Sequence, residues 1–235
     1  NPSQLKFELS DSLVIIPTYN EKENIHLIIN AVFGLSKPFD ILIVDDRSPD
    51  GTAQIVKDLQ QDEYKEKGLY LLEREGKLGL GTAYITGFRY AIDKGYDYVF
   101  EMDADFSHNP KDLERLYEAC AANGADLAIG SRYVSGVNVV NWPMGRVIMS
   151  YFASIYVRFI TGMPINDTTA GFVCFKRHVL ETIDLDAIKF IGYAFQIEMK
   201  FTAMKFGFNL QEVPIVFTDR TRGKSKMSGS IFKEA

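Results

Sequence analysis

The sequence predicts a single α/β domain, with a mostly parallel sheet covered by helices on both faces. Three observations carry this. Strand-like and helix-like segments alternate with short breaks through the first half, the order that builds a parallel sheet. The strand segments are continuous apolar runs, as sheets covered on both sides require. The chain has 235 residues, 46% of them hydrophobic and 24% charged, enough to bury one sizeable core without staples.

Ser12 to Ile16 reads as the first strand, stopped by Pro17. Glu21 to Phe33 carries Ile25, Ile28, Ile29 and Val32 at helical spacing, with acids in the first turn. Ile41 to Val44 is a second strand ended by Asp45-Asp46; Ser48-Pro49-Asp50-Gly51 is a turn, and a helix should run from Thr52 to Gln61. Leu69 to Leu72 and Gly81 to Lys94 read as the next strand and helix. An apolar run from Tyr96 to Met102 is a buried strand, followed by a helix from about Pro110, with proline in its first turn. Ala125 to Ile129 is a further strand. From Trp142 onward the pattern changes: a long apolar helix from Met144 to Thr161, a strand from Phe172 to Phe175, a helix from Ala194 to Phe206, and a strand from Leu210 to Phe217. Internal repeats, low-complexity tracts and Pro/Gly/Ser linkers are not seen, so residues 1–235 are expected to form one domain.

The net charge of −5 argues against a nucleic-acid partner, which needs a basic footprint. Cys120 and Cys174 show neither metal spacing nor a framework of bridges, the usage of a reduced, cytosolic compartment. Asn1 in place of methionine fits a trimmed N-terminus, and no secretory leader is expected. The apolar stretch from Val147 to Ile165 is interrupted by Arg158, Ser150, Ser154, Thr161 and Pro164, poor for a spanning helix but suited to lying on a membrane surface.

Asp103-Ala104-Asp105 follows the Tyr96–Met102 run at the carboxyl edge, where open α/β sheets bind ligands. Strand alternation would project both carboxylates together. Two like charges that close need a cation or donors, and Mg²⁺ or Mn²⁺ shared with substrate phosphates would satisfy them. A solvated turn with a helix-capping aspartate is the plainer alternative. Two more sites end strands on the same edge, Pro17-Thr18-Tyr19-Asn20-Glu21 and Asp45-Asp46. Tyr19 offers a ring to stack on a base, while Glu21 and Asp46 can accept hydrogen bonds from a base or ribose. With no GxGxxG after the first strand, a dinucleotide site is disfavoured, and Gly76 to Thr82 lacks the ending of a phosphate loop. His26, His108 and His178 lack the spacing of a zinc site and read as structural, with His108 near the candidate metal.

Arg220, Arg222, Lys224 and Lys226 alternate with Gly223 and Ser225 in a tail that is either a solvated face or a loop able to fold over a diphosphate. Arg132 follows a strand on the carboxylates' edge, and Arg146 opens the apolar helix. A metal–diphosphate site beside an apolar platform with arginines points to two substrates, a nucleotide-activated group and a lipid with an anionic head.

These motifs resemble the signature of family-two, GT-A-fold glycosyltransferases: Pro17 to Glu21, Asp45 to Thr52, and Asp103 to Asp105. Further strings are similar to the dolichol- and polyprenol-phosphate mannose synthases within it across nearly the whole chain: Lys77 to Tyr84, Asp105 to Pro110, Gly130 to Tyr133, Asp167 to Phe172, Gly192 to Met199, Glu212 to Ile215, and Arg220 to Lys226. The resemblance implies a GT-A fold, with a nucleotide-binding half (1–130) and an acceptor-binding half (131–235). It implies inverting transfer of mannose from GDP-mannose to a polyprenyl monophosphate at the cytoplasmic face of a membrane. By position, Pro17, Tyr19, Glu21, Val44 and Asp46 would hold the nucleotide. Asp103, Ala104 and Asp105 would line the metal and donor site, with Asp103 and Asp105 as metal ligands. Arg220 and Lys226 would clamp phosphates, and Arg132 and Arg146 would receive the acceptor phosphate. Ser107 stands where some relatives have glutamine. A sister enzyme using UDP-glucose or another sugar nucleotide, and a non-catalytic membrane-surface module, stay open at this point.

Overall fold

The computed structural model describes residues 10–220 and 222. In chain order the elements are β1 (Ser12–Thr18), α1 (Ile25–Phe33), β2 (Asp40–Asp45), α2 (Thr52–Gln61), β3 (Leu69–Glu73), α3 (Leu80–Lys94), β4 (Tyr98–Glu101) and α4 (Asp112–Ala121). There follow β5 (Leu127–Ser131), β6 (Val139–Val140), α5 (Met144–Thr161), β7 (Val173–Lys176), α6 (Arg177–Thr182), α7 (Ala194–Lys205), β8 (Leu210–Pro214) and β9 (Phe217–Thr218). Seven strands form one sheet in the order β3-β2-β1-β4-β7-β5-β8, parallel except for β7, which runs antiparallel to both neighbours. A second, two-stranded sheet pairs β6 with β9 in parallel.

Alternation along the central strands divides the core in two. Val14, Ile16, Ile41 and Ile43 pack with α1, α2 and α4 on one face. Leu13, Ile15, Leu42 and Val44 pack with α3, α6 and α7 on the other. Burial on both faces explains the unbroken apolar runs. Helix α3 lies close on β1 because residue 87 is glycine: a Cβ there would meet Ile15 side-chain atoms at 2.7 Å.

Several predicted boundaries move, each for a local reason. β1 continues through Pro17 to Thr18. Ile15 O accepts from Met102 N and Thr18 O from Asp46 N, so odd-numbered residues of β1 face β4. β4 ends at Glu101, opposite Ile15, so the missing N–H of Pro17 breaks no ladder bond. α1 starts at Ile25 rather than Glu21, and its first turn holds no acid. Asn20 takes a left-handed φ of 57°, and the Glu21 carbonyl closes a turn by accepting from Asn24 N and Ile25 N. α4 begins at Asp112, after a turn in which Leu113 N donates to Pro110 O. The predicted Ala125–Ile129 and Phe172–Phe175 strands shift to β5 and β7.

β7 departs from the parallel direction because the segment after β5 returns to the sheet at the edge it left. The chain leaves β5 there, forms β6 and α5, and re-enters the sheet from the same edge, so β7 runs backwards. The expected Leu210–Phe217 strand likewise splits: β8 stops at Pro214, and Phe217–Thr218 pairs with β6 above the edge. Among the described residues, no helix is long and apolar enough to cross a membrane.

Candidate active site

The ends of β2, β1 and β4 are adjacent in the sheet, and their acidic motifs meet on its carboxyl edge. Asp45 is fully buried and shapes the turn: it accepts from Thr18 Oγ1 at 2.7 Å, Ser48 N at 2.8 Å and Ser48 Oγ at 2.6 Å. Glu21 is buried, its N–H donating to Thr52 Oγ1 at 3.0 Å and its carboxylate accepting from Asn24 Nδ2 at 2.9 Å. Asp46 accepts from Arg74 Nε at 2.6 Å. Burial pushes the Asp46 carboxyl above its ordinary range despite that arginine. Arg74 also donates to Thr82 Oγ1 and the Gly79 carbonyl, tying the Gly76–Thr82 loop to the site. The Lys77 ammonium lies 5.2 Å from the half-buried Tyr19 ring.

Pro17 and Tyr19 line this edge half-buried, whereas Val44 is fully buried in the core. Its side chain packs with Leu13, Ile15 and Leu42 rather than standing at the edge.

The Asp103-Ala104-Asp105 expectation needs a geometric correction. β4 ends at Glu101, so strand alternation does not place these carboxylates; they stand in the turn that follows. The Asp103 side chain is 40% exposed, whereas Ala104 and Asp105 are buried. Both acids act electrostatically on one buried group, the Tyr84 hydroxyl. Burial raises the fully buried Tyr84 hydroxyl well above its ordinary value, with Asp103, Glu101 and Asp105 all adding to the shift. Asp105 accepts from Ser107 N at 3.0 Å and from Ser107 Oγ on Oδ1, and from Arg220 Nη2 at 2.6 Å on Oδ2. Burial works to raise the Asp105 carboxyl, but the Ser107 bonds and the Arg220 charge outweigh it and hold it below its ordinary range. Ser107 is thus committed to orienting Asp105. Arg220 Nη1 also lies 3.7 Å from Glu21 Oε1, so one guanidinium spans the β1 and β4 acids. Lys226 lies outside the described residues.

His108 is buried against Phe172, and its Nδ1 accepts from Asp103 N at 3.3 Å. Burial pushes its pKa down to about 4, so the ring is a neutral prop for the turn. Among the described residues no three His, Cys, Asp or Glu side chains cluster to hold an ion. The donor chemistry fits a hard divalent cation all the same. Asp103 and Asp105 offer only oxygens, Asp105 already carries a cationic partner, and substrate phosphates commonly complete such a shell.

The arginines expected to meet an acceptor sit on the same edge. Arg132 is buried and bidentate on Asp167, with Nε to Oδ2 at 2.7 Å and Nη2 to Oδ1 at 2.6 Å, and Nη2 also donates to Thr169 Oγ1 at 2.8 Å. Its charge reaches the site already partnered. Arg146, in the first turn of α5, pairs with Asp219 at 3.1 Å and lies 3.9 Å from the centre of the Trp142 ring. Beyond it α5 is an apolar ledge. Ser154 is its one buried residue, while Phe152, Tyr156, Ile160 and Phe159 are exposed, Phe159 by 85%.

Sequence reasoning missed Arg74, Trp142, Asp219 and a buried pair behind the acids, Glu101 and Lys200. Lys200 Nζ donates to Ala170 O at 2.6 Å and Gln196 O at 3.0 Å, anchoring the segment that carries Asp167. Burial drives the Glu101 carboxyl up and the Lys200 amine down, each drawn back by the other's charge.

The model of the family described as "Glycosyl transferase family 2" matches residues 13–184. The chain is 49% identical over 224 residues to polyprenol monophosphomannose synthase of Mycolicibacterium smegmatis, covering 95% of this chain and 83% of that protein. It is 46% identical over 223 residues to undecaprenyl-phosphate mannosyltransferase of Micrococcus luteus, covering 95% and 90%. Its fold is similar to that of a mannosyltransferase from Pyrobaculum calidifontis solved with GDP-Man and Mn²⁺, at a TM-score of 0.64 and 20% identity, over 92% of this chain and 58% of that one.

Proposed function

The chain belongs to glycosyl transferase family 2, and we propose that it transfers mannose, with inversion, from GDP-mannose to a polyprenyl monophosphate. One observation supports this most directly. The β1, β2 and β4 acids, with Arg220 among them, share one sheet edge with Arg132, Arg146 and the apolar ledge of α5. A donor that is polar and anionic and an acceptor that is anionic at one end and greasy at the other fit these two halves. The relatives' names supply mannose and the polyprenyl phosphate.

Tyr19, Glu21 and Asp46 hold the nucleoside beside Pro17, and Arg220 with Lys226 clamps the diphosphate. Asp103 and Asp105 would hold Mg²⁺ or Mn²⁺, which when bound supplies Lewis-acid neutralisation of the departing diphosphate. Arg132 and Arg146 orient the acceptor phosphate and offset anion–anion repulsion as it approaches the donor. That phosphate is an anionic nucleophile at neutral pH, so no general base is needed. Its oxygen forms a bond to the anomeric carbon while the bond from that carbon to the diphosphate breaks. The electron pair leaves with GDP.

The exposed face of α5 rests on the membrane that holds the acceptor, an arrangement supported by Phe152, Tyr156, Phe159 and Ile160 standing in solvent. The cytoplasmic face suits the buried free thiols of Cys120 and Cys174.

The test is a transfer assay with a short-chain polyprenyl phosphate and a panel of sugar nucleotides, with and without Mn²⁺. The expected result is metal-dependent transfer from GDP-mannose. Preferred transfer from UDP-glucose would move the chain to a sister activity, and no transfer from any donor would contradict the reading.

A further inference from the structure

Trp142 is the only tryptophan in the chain. It precedes α5, and its ring centre lies 3.9 Å from the guanidinium carbon of Arg146 and 5.5 Å from that of Arg132. Both distances are within cation–π range. Phe217 of β9 meets the indole edge-to-face at 5.3 Å and stands 5.7 Å from the same carbon of Arg132. The Tyr133 ring is 5.1 Å from that carbon. Three aromatic rings therefore face Arg132, and one of them, Trp142, also faces Arg146, so the indole bridges the two guanidiniums expected to share one acceptor phosphate.

The indole Nε1 is buried and has no hydrogen-bond partner among the described residues. An unpaired buried N–H is a cost, and a phenylalanine would avoid it. Hydrogen bonding is thus not what the site gains from tryptophan. The gain lies in the ring face, since indole has the strongest quadrupole of the aromatic side chains and binds a guanidinium best. A long arginine at the start of an exposed helix would otherwise sample many rotamers, and ordering it would weaken phosphate binding. Asp219, 3.1 Å away, neutralises Arg146 but is itself only partly buried, and a phosphate can displace it.

We propose that Trp142 is a positioning residue of the acceptor site, its indole holding Arg146 near Arg132 so that both guanidiniums meet one lipid phosphate monoester. The inference rests on the acceptor role given to these arginines above. It adds what arranges them.

The test compares Trp142→Leu and Trp142→Phe, with farnesyl phosphate as acceptor. Trp142→Leu should raise the acceptor KM about tenfold, equivalent to about 1.4 kcal/mol, with donor KM and GDP affinity unchanged. Trp142→Phe should recover most of that loss. A merely structural residue would disturb donor and acceptor parameters together. Wild-type protein supplies a second readout that does not depend on a variant folding: the single indole's emission should change saturably with farnesyl phosphate and stay constant with farnesol. An acceptor KM within twofold of wild type in Trp142→Leu, or emission unmoved at saturating farnesyl phosphate, overturns the proposal. Arg146→Ala separates the two layers. If Arg146→Ala weakens acceptor use and Trp142→Leu does not, this inference fails and the acceptor reading stands. If Arg146→Ala leaves acceptor KM unchanged, the acceptor reading fails and takes the inference with it.

Discussion

Arg220 Nη2 lies 2.6 Å from Asp105 Oδ2, so the carboxylate expected to hold a metal holds an arginine two residues past β9. The preceding residue, Asp219, holds Arg146. Two adjacent residues of one segment thus touch both Arg146 and Asp105, the groups proposed above for acceptor and donor. Arg220 has two anionic partners to choose between, the acids and an incoming diphosphate. Arg220→Ala should raise the donor KM by about one to two orders of magnitude, the range for a lost charge-assisted hydrogen bond. Initial rates against GDP-mannose at saturating acceptor measure it, and an unchanged donor KM would remove Arg220 from the clamp.

Asp167 predicts an acid-sensitive stability. Burial works to raise its carboxyl, but hydrogen bonds and charge from Arg132 hold it below its ordinary value of 3.8. The unfolded chain therefore binds that proton more readily than the folded one. The stabilisation is complete above the ordinary carboxyl range, about 4, and is lost as pH falls through the lowered folded value. Asp167→Asn leaves Arg132 buried without its anion and should cost about 3–5 kcal/mol at neutral pH. Melting temperatures of both proteins across pH should differ most near neutrality and converge in acid. A constant gap would show that the pair does not titrate with folding.

Gly87→Ala tests the seat of α3 on β1. A Cβ there would meet atoms of the fully buried Ile15 side chain at 2.7 Å. The expected loss is about 1–3 kcal/mol, as for other overpacked cores. Urea unfolding reads it directly, and a stability equal to wild type would mean that α3 lifts freely from the sheet.

The ledge of α5 makes a lipid prediction. Replacing Phe152 and Phe159 together with serine should leave GDP binding unchanged and lower co-flotation with phospholipid vesicles, since both rings stand in solvent. Flotation equal to wild type would place the membrane contact elsewhere.

Much of this architecture was legible in the chain. Apolar runs such as Leu13–Ile16 and Ile41–Val44 marked the doubly covered strands, and the punctuation at Ser48–Gly51 placed α2 at its observed bounds. Glu21 and Asp105, far apart in sequence, both meet Arg220. What stayed hidden lacked a local signal. The two-residue strands β6 and β9 are too short to show alternation, and the reversal of β7 depends on which edge the chain re-enters. The sequence pattern makes Asp103 and Asp105 strand neighbours, but β4 ends at Glu101 and a left-handed Phe106 bends the following turn, so one acid is open and the other buried. Arg74 resembled any loop arginine, and Lys200 any helix-surface lysine. Their partners Asp46 and Glu101 lie far off in the chain, and only the folded sheet brings them together.

Whether Asp105 is a ligand for a metal that grips the nucleotide is tested most directly by calorimetric titration of GDP into wild-type and Asp105→Asn protein, with and without Mn²⁺. Mn²⁺ should tighten GDP binding to the wild type and have no such effect on the variant. Equal tightening in both proteins would contradict that role.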